Sequence, residues 1–150
     1  MTDPRTLYRE NAVRGASPVR LVVMLYEQVV EDLRRAVRAI EEKQIGARTN
    51  AINHAIVIIG HLQSKLDHMR GGVVARNLER FYNVSRQRLL EAQCRGSKEI
   101  LTEQMSLFLD LRDAWTQVDQ AEADLAQSLP TAGSESLGAI ADRAHADWKG

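Results

Sequence analysis

The residues best equipped for chemistry are three evenly spaced histidines, one cysteine and a pair of adjacent glycines. His54, His61 and His68 recur every seven residues, a repeat that suggests metal ligands. On a helix seven residues rise about 10.5 Å, too far for one ion to bridge, whereas helical ligand pairs stand three or four residues apart. The three positions also fall away from the apolar stripe of their segment, so a solvated histidine row is expected. A di-metal bundle needs Glu-x-x-His on two helices with further inward glutamates. Neither occurs, and Glu10 and Glu27 have no carboxylate partner placed by the pattern. Cys94 has no evident base, and Gly71-Gly72 follows no strand and lacks the Walker pattern of a phosphate loop. The sequence therefore predicts no catalytic residue, no metal and no cofactor.

Composition narrows the remaining classes. A chain of 150 residues is long enough for one domain with a core plus tails. Twenty basic and twenty acidic residues cancel, so no overall field exists to hold a nucleic acid or an anionic membrane. Arg34, Arg35, Arg38, Arg86 and Arg88 make local basic patches, but Glu31, Asp32, Glu41 and Glu42 interleave on the first helix as solvated surface. A single cysteine forms no intrachain disulfide, the N-terminus lacks the apolar core of a signal peptide, and no apolar run approaches the roughly 20 residues that span a bilayer. Cytoplasmic residence is expected, with no nucleic acid and no membrane insertion.

The elements that position these residues are helical throughout. Ser17 and Pro18 open a first helix over 18–43, serine as cap and proline at the first helical position. Val22, Tyr26, Val29, Leu33, Ala36 and Ile40 form one stripe on it, and Val19, Val23, Val30 and Val37 a second beside it. Apolar residues over more than one face place a helix in the middle of a bundle or offer a face to something outside the chain. Gln44, Ile45 and Gly46 read as a short connection with glycine available for a left-handed residue. A second helix over 48–69 carries Ile52, Ala55, Ile56, Ile59, Leu62, Leu66 and Met69, widened by Val57 and Ile58. Gly71-Gly72 break the pattern.

A third helix over 73–95 turns Ala75, Leu78, Tyr82, Ser85, Leu89 and Ala92 inward, and the small residues of this stripe let a neighbouring backbone approach closely or leave a furrow where none does. Gly96 ends it and Ser97 caps a fourth helix over 98–128, with Leu101, Met105, Phe108, Leu111, Trp115, Val118 and Leu125 on one face and Ile100, Leu107 and Ala114 beside them. Pro130 stops that helix. Leu137, Ile140, Ala144 and Trp148 then recur at helical spacing in a short terminal segment, marginal as an isolated helix. The prediction is an all-α fold, an antiparallel up-down four-helix bundle over 17–129. An N-terminal arm over 1–16, with Leu7 and Tyr8 as an apolar hook, precedes it, and a linker and short C-terminal helix or tail over 130–150 follows.

With these residues assembled, the chain resembles the flagellar secretion chaperone family, FliS, over roughly residues 8–120. The resemblance rests on Tyr8 and Asn11, Ala16-Ser17-Pro18, Leu25-Tyr26-Glu27, Ile58-Ile59 and Leu66-Asp67. It continues through Gly71-Gly72 with Ala75 and Leu78, then Tyr82, Arg88-Leu89, Glu91-Ala92 and Arg112-Asp113-Ala114-Trp115. Glu27 stands where that family usually has Asp, Gln93 where Asn is common, and the region after Pro130 is longer than expected. The resemblance implies a cytosolic, non-enzymatic export chaperone. Such a protein binds the C-terminal segment of flagellin, prevents premature polymerisation and assists type III flagellar export, with export-gate or regulatory flagellar proteins as further partners. The expected contact set is Leu7, Tyr8, Asn11, Val23, Tyr26, Val30, Ile58, Leu78, Tyr82, Leu107, Leu111 and Trp115, on a monomer or weak homodimer. The alternative is a helical adaptor or oligomerisation module without a secretion role, whose extra apolar faces bury against identical subunits.

Overall fold

The computed structural model describes residues 17–126. The arm with Leu7, Tyr8 and Asn11, and the tail with Leu137, Ile140 and Trp148, lie outside the described residues. Four helices follow one another: α1 (Pro18–Glu41), α2 (Ile45–Ser64), α3 (His68–Arg95) and α4 (Lys98–Ala126). Helix α1 packs on α2 and α4, and α3 closes the ring by packing on α2 and α4 in turn. Neighbours run antiparallel. Ser17 at the start of α1 donates its hydroxyl to Asp119 near the end of α4 at 3.1 Å. Arg48 near the start of α2 donates to Gln93 near the end of α3, and Arg88 of α3 reaches Glu103 of α4.

Short-range capping chemistry sets where most helices begin. Ser17 Oγ accepts from the Arg20 N–H at 3.1 Å, with Pro18 in the first turn. Ser97 Oγ accepts from the Ile100 N–H at 3.2 Å and starts α4. Gly96 ends α3 in the left-handed region (φ 59°), and the Ser97 N–H returns to the Ala92 carbonyl.

Two boundaries differ from the sequence reading. Helix α1 ends in the same type of motif, with the Lys43 N–H on Ile40 and the Gln44 N–H on Ala39. Its left-handed residue is Lys43 (φ 57°), while Gly46 lies inside α2. Helix α2 also stops at Ser64, five residues early, because the Asp67 carboxylate accepts from the N–H groups of Met69 and Arg70 and caps α3. The expected break at the glycine pair survives as a kink inside α3, where Gly72 adopts φ 52° and ψ −122°. That conformation is open to glycine almost alone. A Cβ at Gly72 would meet nothing within 4 Å, so the strain of a substitution is purely in the backbone. Gly72→Ala should lower stability by about 1–3 kcal/mol in urea unfolding; an unchanged midpoint would show that the kink relaxes freely.

The core joins all four helices: Tyr26, Val29 and Leu33 from α1, Ile52, Ile58 and Ile59 from α2, Leu78, Phe81, Tyr82 and Leu89 from α3, Leu101, Phe108 and Leu111 from α4. Its centre is aromatic. Phe108 meets Phe81 at 5.1 Å and Tyr26 at 5.5 Å between ring centroids, both edge to face, the arrangement ring quadrupoles favour.

The histidine row is not uniformly solvated. His68 is exposed beside Glu79, but His54 is largely buried, its Nδ1 2.6 Å from the Asp32 carboxylate. Asp32, expected on the surface, is fully buried and also accepts from Gln28 and Arg35. A carboxylate removed from water requires this many partners, and the contact with His54 ties α1 to α2.

Candidate functional site

At the bundle end where α1 and α3 begin and α2 and α4 finish, the packing leaves an apolar cleft of about 270 Å³. All four helices contribute: Val22 and Leu25 from α1, Leu62 from α2, Val74, Ala75, Leu78 and Tyr82 from α3, Trp115 from α4. Lys65, Leu66 and Asp67 of the α2–α3 connection complete its edge, with Gly71 beside them. Gly71 and Ala75 of α3 both line it, close to the kink at Gly72. Gly71 and Ala75 stand one turn apart, and a Cβ on Gly71 would come within 2.8 Å of the Ala75 Cβ. Of the two outcomes open to the small-and-large stripe of α3, a close helix approach or a furrow, a furrow is present at this end.

Beneath the cleft lies a hydrogen-bonded aromatic triad. Trp115 Nε1 donates to the Tyr26 hydroxyl at 3.1 Å, and that hydroxyl is 2.6 Å from the hydroxyl of Tyr82. Tyr26 does not line the cleft, yet it holds two residues that do. Burial pushes the Tyr26 phenol up to about 12, against the opposing pull of its bonds with Tyr82 and Trp115. Burial together with the Tyr26 oxygen raises Tyr82 well above its ordinary value.

Phenols held above their unfolded value keep their protons in the native state while the unfolded chain loses them. The contribution of these phenols to stability is therefore fully present below pH 10 and is lost as pH rises from about 10 towards 12. Alkaline titration should show tyrosinate absorbance for Tyr26 and Tyr82 appearing together with loss of helix. Ionisation of both in a chain that stays helical would refute the assignment.

The structure divides the expected contact residues. Leu78, Tyr82 and Trp115 come together on the cleft. Tyr26, Val30, Ile58 and Leu111 are buried in the core and present no surface as packed here, while Val23 and Leu107 are half-buried away from the cleft. Sequence reasoning missed Val22, Leu25, Leu62, Leu66 and Val74 as cleft residues. Val22, Leu62 and Leu66 fall on packing stripes in the sequence, and nothing in their type separates a residue beside a neighbour from one beside a gap. No group of three or more His, Cys, Asp or Glu residues fit for a metal occurs among the described residues. Nor is any described helix long and apolar enough to cross a membrane.

These features define a class: an antiparallel four-helix bundle with an apolar cleft at one end. Within that class the chain belongs to the FliS family of flagellar proteins, whose family model matches residues 1–122. It is 38% identical to the flagellar secretion chaperone FliSB of Pseudomonas aeruginosa over 71% of this chain and 84% of that one. It is 34% identical to the flagellar secretion chaperone FliS of Salmonella typhimurium over 73% of this chain and 82% of that one. The Bacillus subtilis FliS is 30% identical over 80% of this chain and 89% of its own length. The family is one of chaperones and not of enzymes.

Proposed function

We propose that this protein is a cytoplasmic export chaperone that binds the C-terminal segment of flagellin, keeps it from polymerising prematurely and assists its delivery to the flagellar type III export apparatus. The observation that carries the reading is the apolar cleft built by all four helices at one end of the bundle. An unassembled helical client can lay an amphipathic face into such a cleft, with its apolar residues as anchors. Ordering the client costs several kcal/mol, so contacts beyond the cleft are needed. The arm residues Leu7, Tyr8 and Asn11, joined to the bundle at the cleft-lining Pro18, together with Val23 and Leu107, are the proposed additional contacts. Tyr26, Val30, Ile58 and Leu111 contribute by holding the walls in place. Export-gate or regulatory flagellar proteins are the proposed further partners.

Calorimetric titration with the C-terminal segment of flagellin from the same cell tests this. Saturable binding near one-to-one, with a negative heat-capacity change and gained helicity, is the expected result. No binding at tens of micromolar, by a chain that sediments as a stable dimer, would favour the adaptor reading, in which apolar faces pair between copies.

A further inference from the structure

We infer that the cleft has an occupant within the chain itself: residues 137–148 seat in it and cover it when no other ligand is bound. The inference stands on the cleft and the tail alone and does not depend on what else the cleft receives.

Four observations converge on this occupant. The family match ends at residue 122, so residues 123–150 lie beyond the stretch shared with the family. Helix α4 delivers that addition to the right end of the molecule: Asp119 bonds to Ser17 at the mouth of the bundle, and α4 continues to Ala126, about 10 Å farther. From Ala126 back to Trp115 in the cleft wall is about 16 Å along the helix, and an extended linker over 127–136 reaches about twice that. The tail also carries a matching surface. Leu137, Ile140, Ala144 and Trp148 fall on one stripe of a helix, with Glu135, Asp142, Arg143 and Asp147 interspersed.

Size and energetics agree. An apolar cavity of about 150 Å³ already accepts a benzene ring, so the cleft has room for an indole or an aliphatic pair. A segment this short is marginally helical in water and needs an apolar surface to stabilise it. Its tether supplies an effective concentration in the millimolar range, so a weak intrinsic affinity suffices to keep the cleft covered. Among the described residues the cleft stays open, and the apolar spacing of Leu137, Ile140 and Trp148 in the sequence suits them to cover it.

The test uses the full chain in a Cys94→Ser background, since Cys94 is exposed. A spin label is attached through Ala141→Cys, and methyl spectra are recorded with the label oxidised and reduced. The expected result is loss of the Val22, Leu62, Val74 and Leu78 methyl signals, while Leu89 and Leu101, at the opposite end of the bundle, keep theirs. Adding Leu137→Asp and Ile140→Asp should restore the lost signals. Cleft methyls that keep their signals would overturn the inference. So would loss that appears only between spin-labelled and isotope-labelled copies in a mixture, which would make the occupant a second copy's tail. A label at Thr6→Cys that quenches the cleft while Ala141→Cys does not would assign it to the N-terminal arm instead.

Discussion

Replacing Tyr26 by phenylalanine should lower stability by about 2–3 kcal/mol, and replacing Tyr26 and Tyr82 together should cost less than replacing Tyr26 alone. The single substitution leaves the ring packing against Phe108 intact but removes the oxygen that Trp115 and Tyr82 share. The Tyr82 hydroxyl is then fully buried with no replacement partner, and such a group costs about 1–3 kcal/mol. The Trp115 N–H, on a half-buried ring, is partly recovered by water. In the double variant the buried hydroxyl is gone along with its lost partner, and most of that penalty goes with it. Melting should therefore fall by roughly 8–15 °C in Tyr26→Phe and by less in the double variant. Additive losses would mean that the two hydroxyls act independently. The same single variant should also weaken client binding, because Trp115 and Tyr82 are cleft walls that Tyr26 holds in place.

The largest functional effect is expected from a charge set into the cleft. Val74 is half-buried, lines the cleft and lies in the first turn after Gly72, where an aspartate is favourable to the helix dipole. Because Val74 also packs partly against the core, Val74→Asp should lower melting by only a few degrees, the dipole offsetting part of the lost packing, and leave the bundle folded. An apolar client side chain seated there would bury an unpaired carboxylate, and affinity should drop at least about 100-fold, or 2.7 kcal/mol. Gln87→Asp, exposed on the same helix and away from the cleft, is the control and should bind normally. If Val74→Asp binds flagellin as the parent does, the client sits elsewhere on the bundle.

What could be read in advance follows from the range of the interactions involved. Ser17-Pro18 and Gly96-Ser97 mark their boundaries because capping is settled within four residues, and the helical stripes persist because burial imposes a 3.6-residue period. The end of α2 was misplaced because Leu66 and Met69 continue its apolar period. Asp67 nonetheless caps the next helix, and Met69 is left 97% exposed. Asp32 resembled surface charge because its partner His54 stands 22 residues away on another helix, at a rotation no local pattern encodes. The cleft is of the same kind. The small residues of the α3 stripe, Ala75 among them, allowed either a close approach or a furrow, and which residues face it depends on how four helices are turned relative to one another.

The bond from Trp115 to Tyr26 spans 89 residues of chain. During synthesis at about 5–20 residues per second, α1 emerges roughly 4–18 s before the residue that completes its hydrogen-bonded triad. For that interval the nascent chain lacks one wall of its cleft and exposes the face of α1 that α4 later covers. The proposed client capture therefore has to wait for α4. Ribosome-bound chains stalled before α4 should be protease-sensitive throughout α1, and protection should arrive in one step once Trp115 clears the exit tunnel.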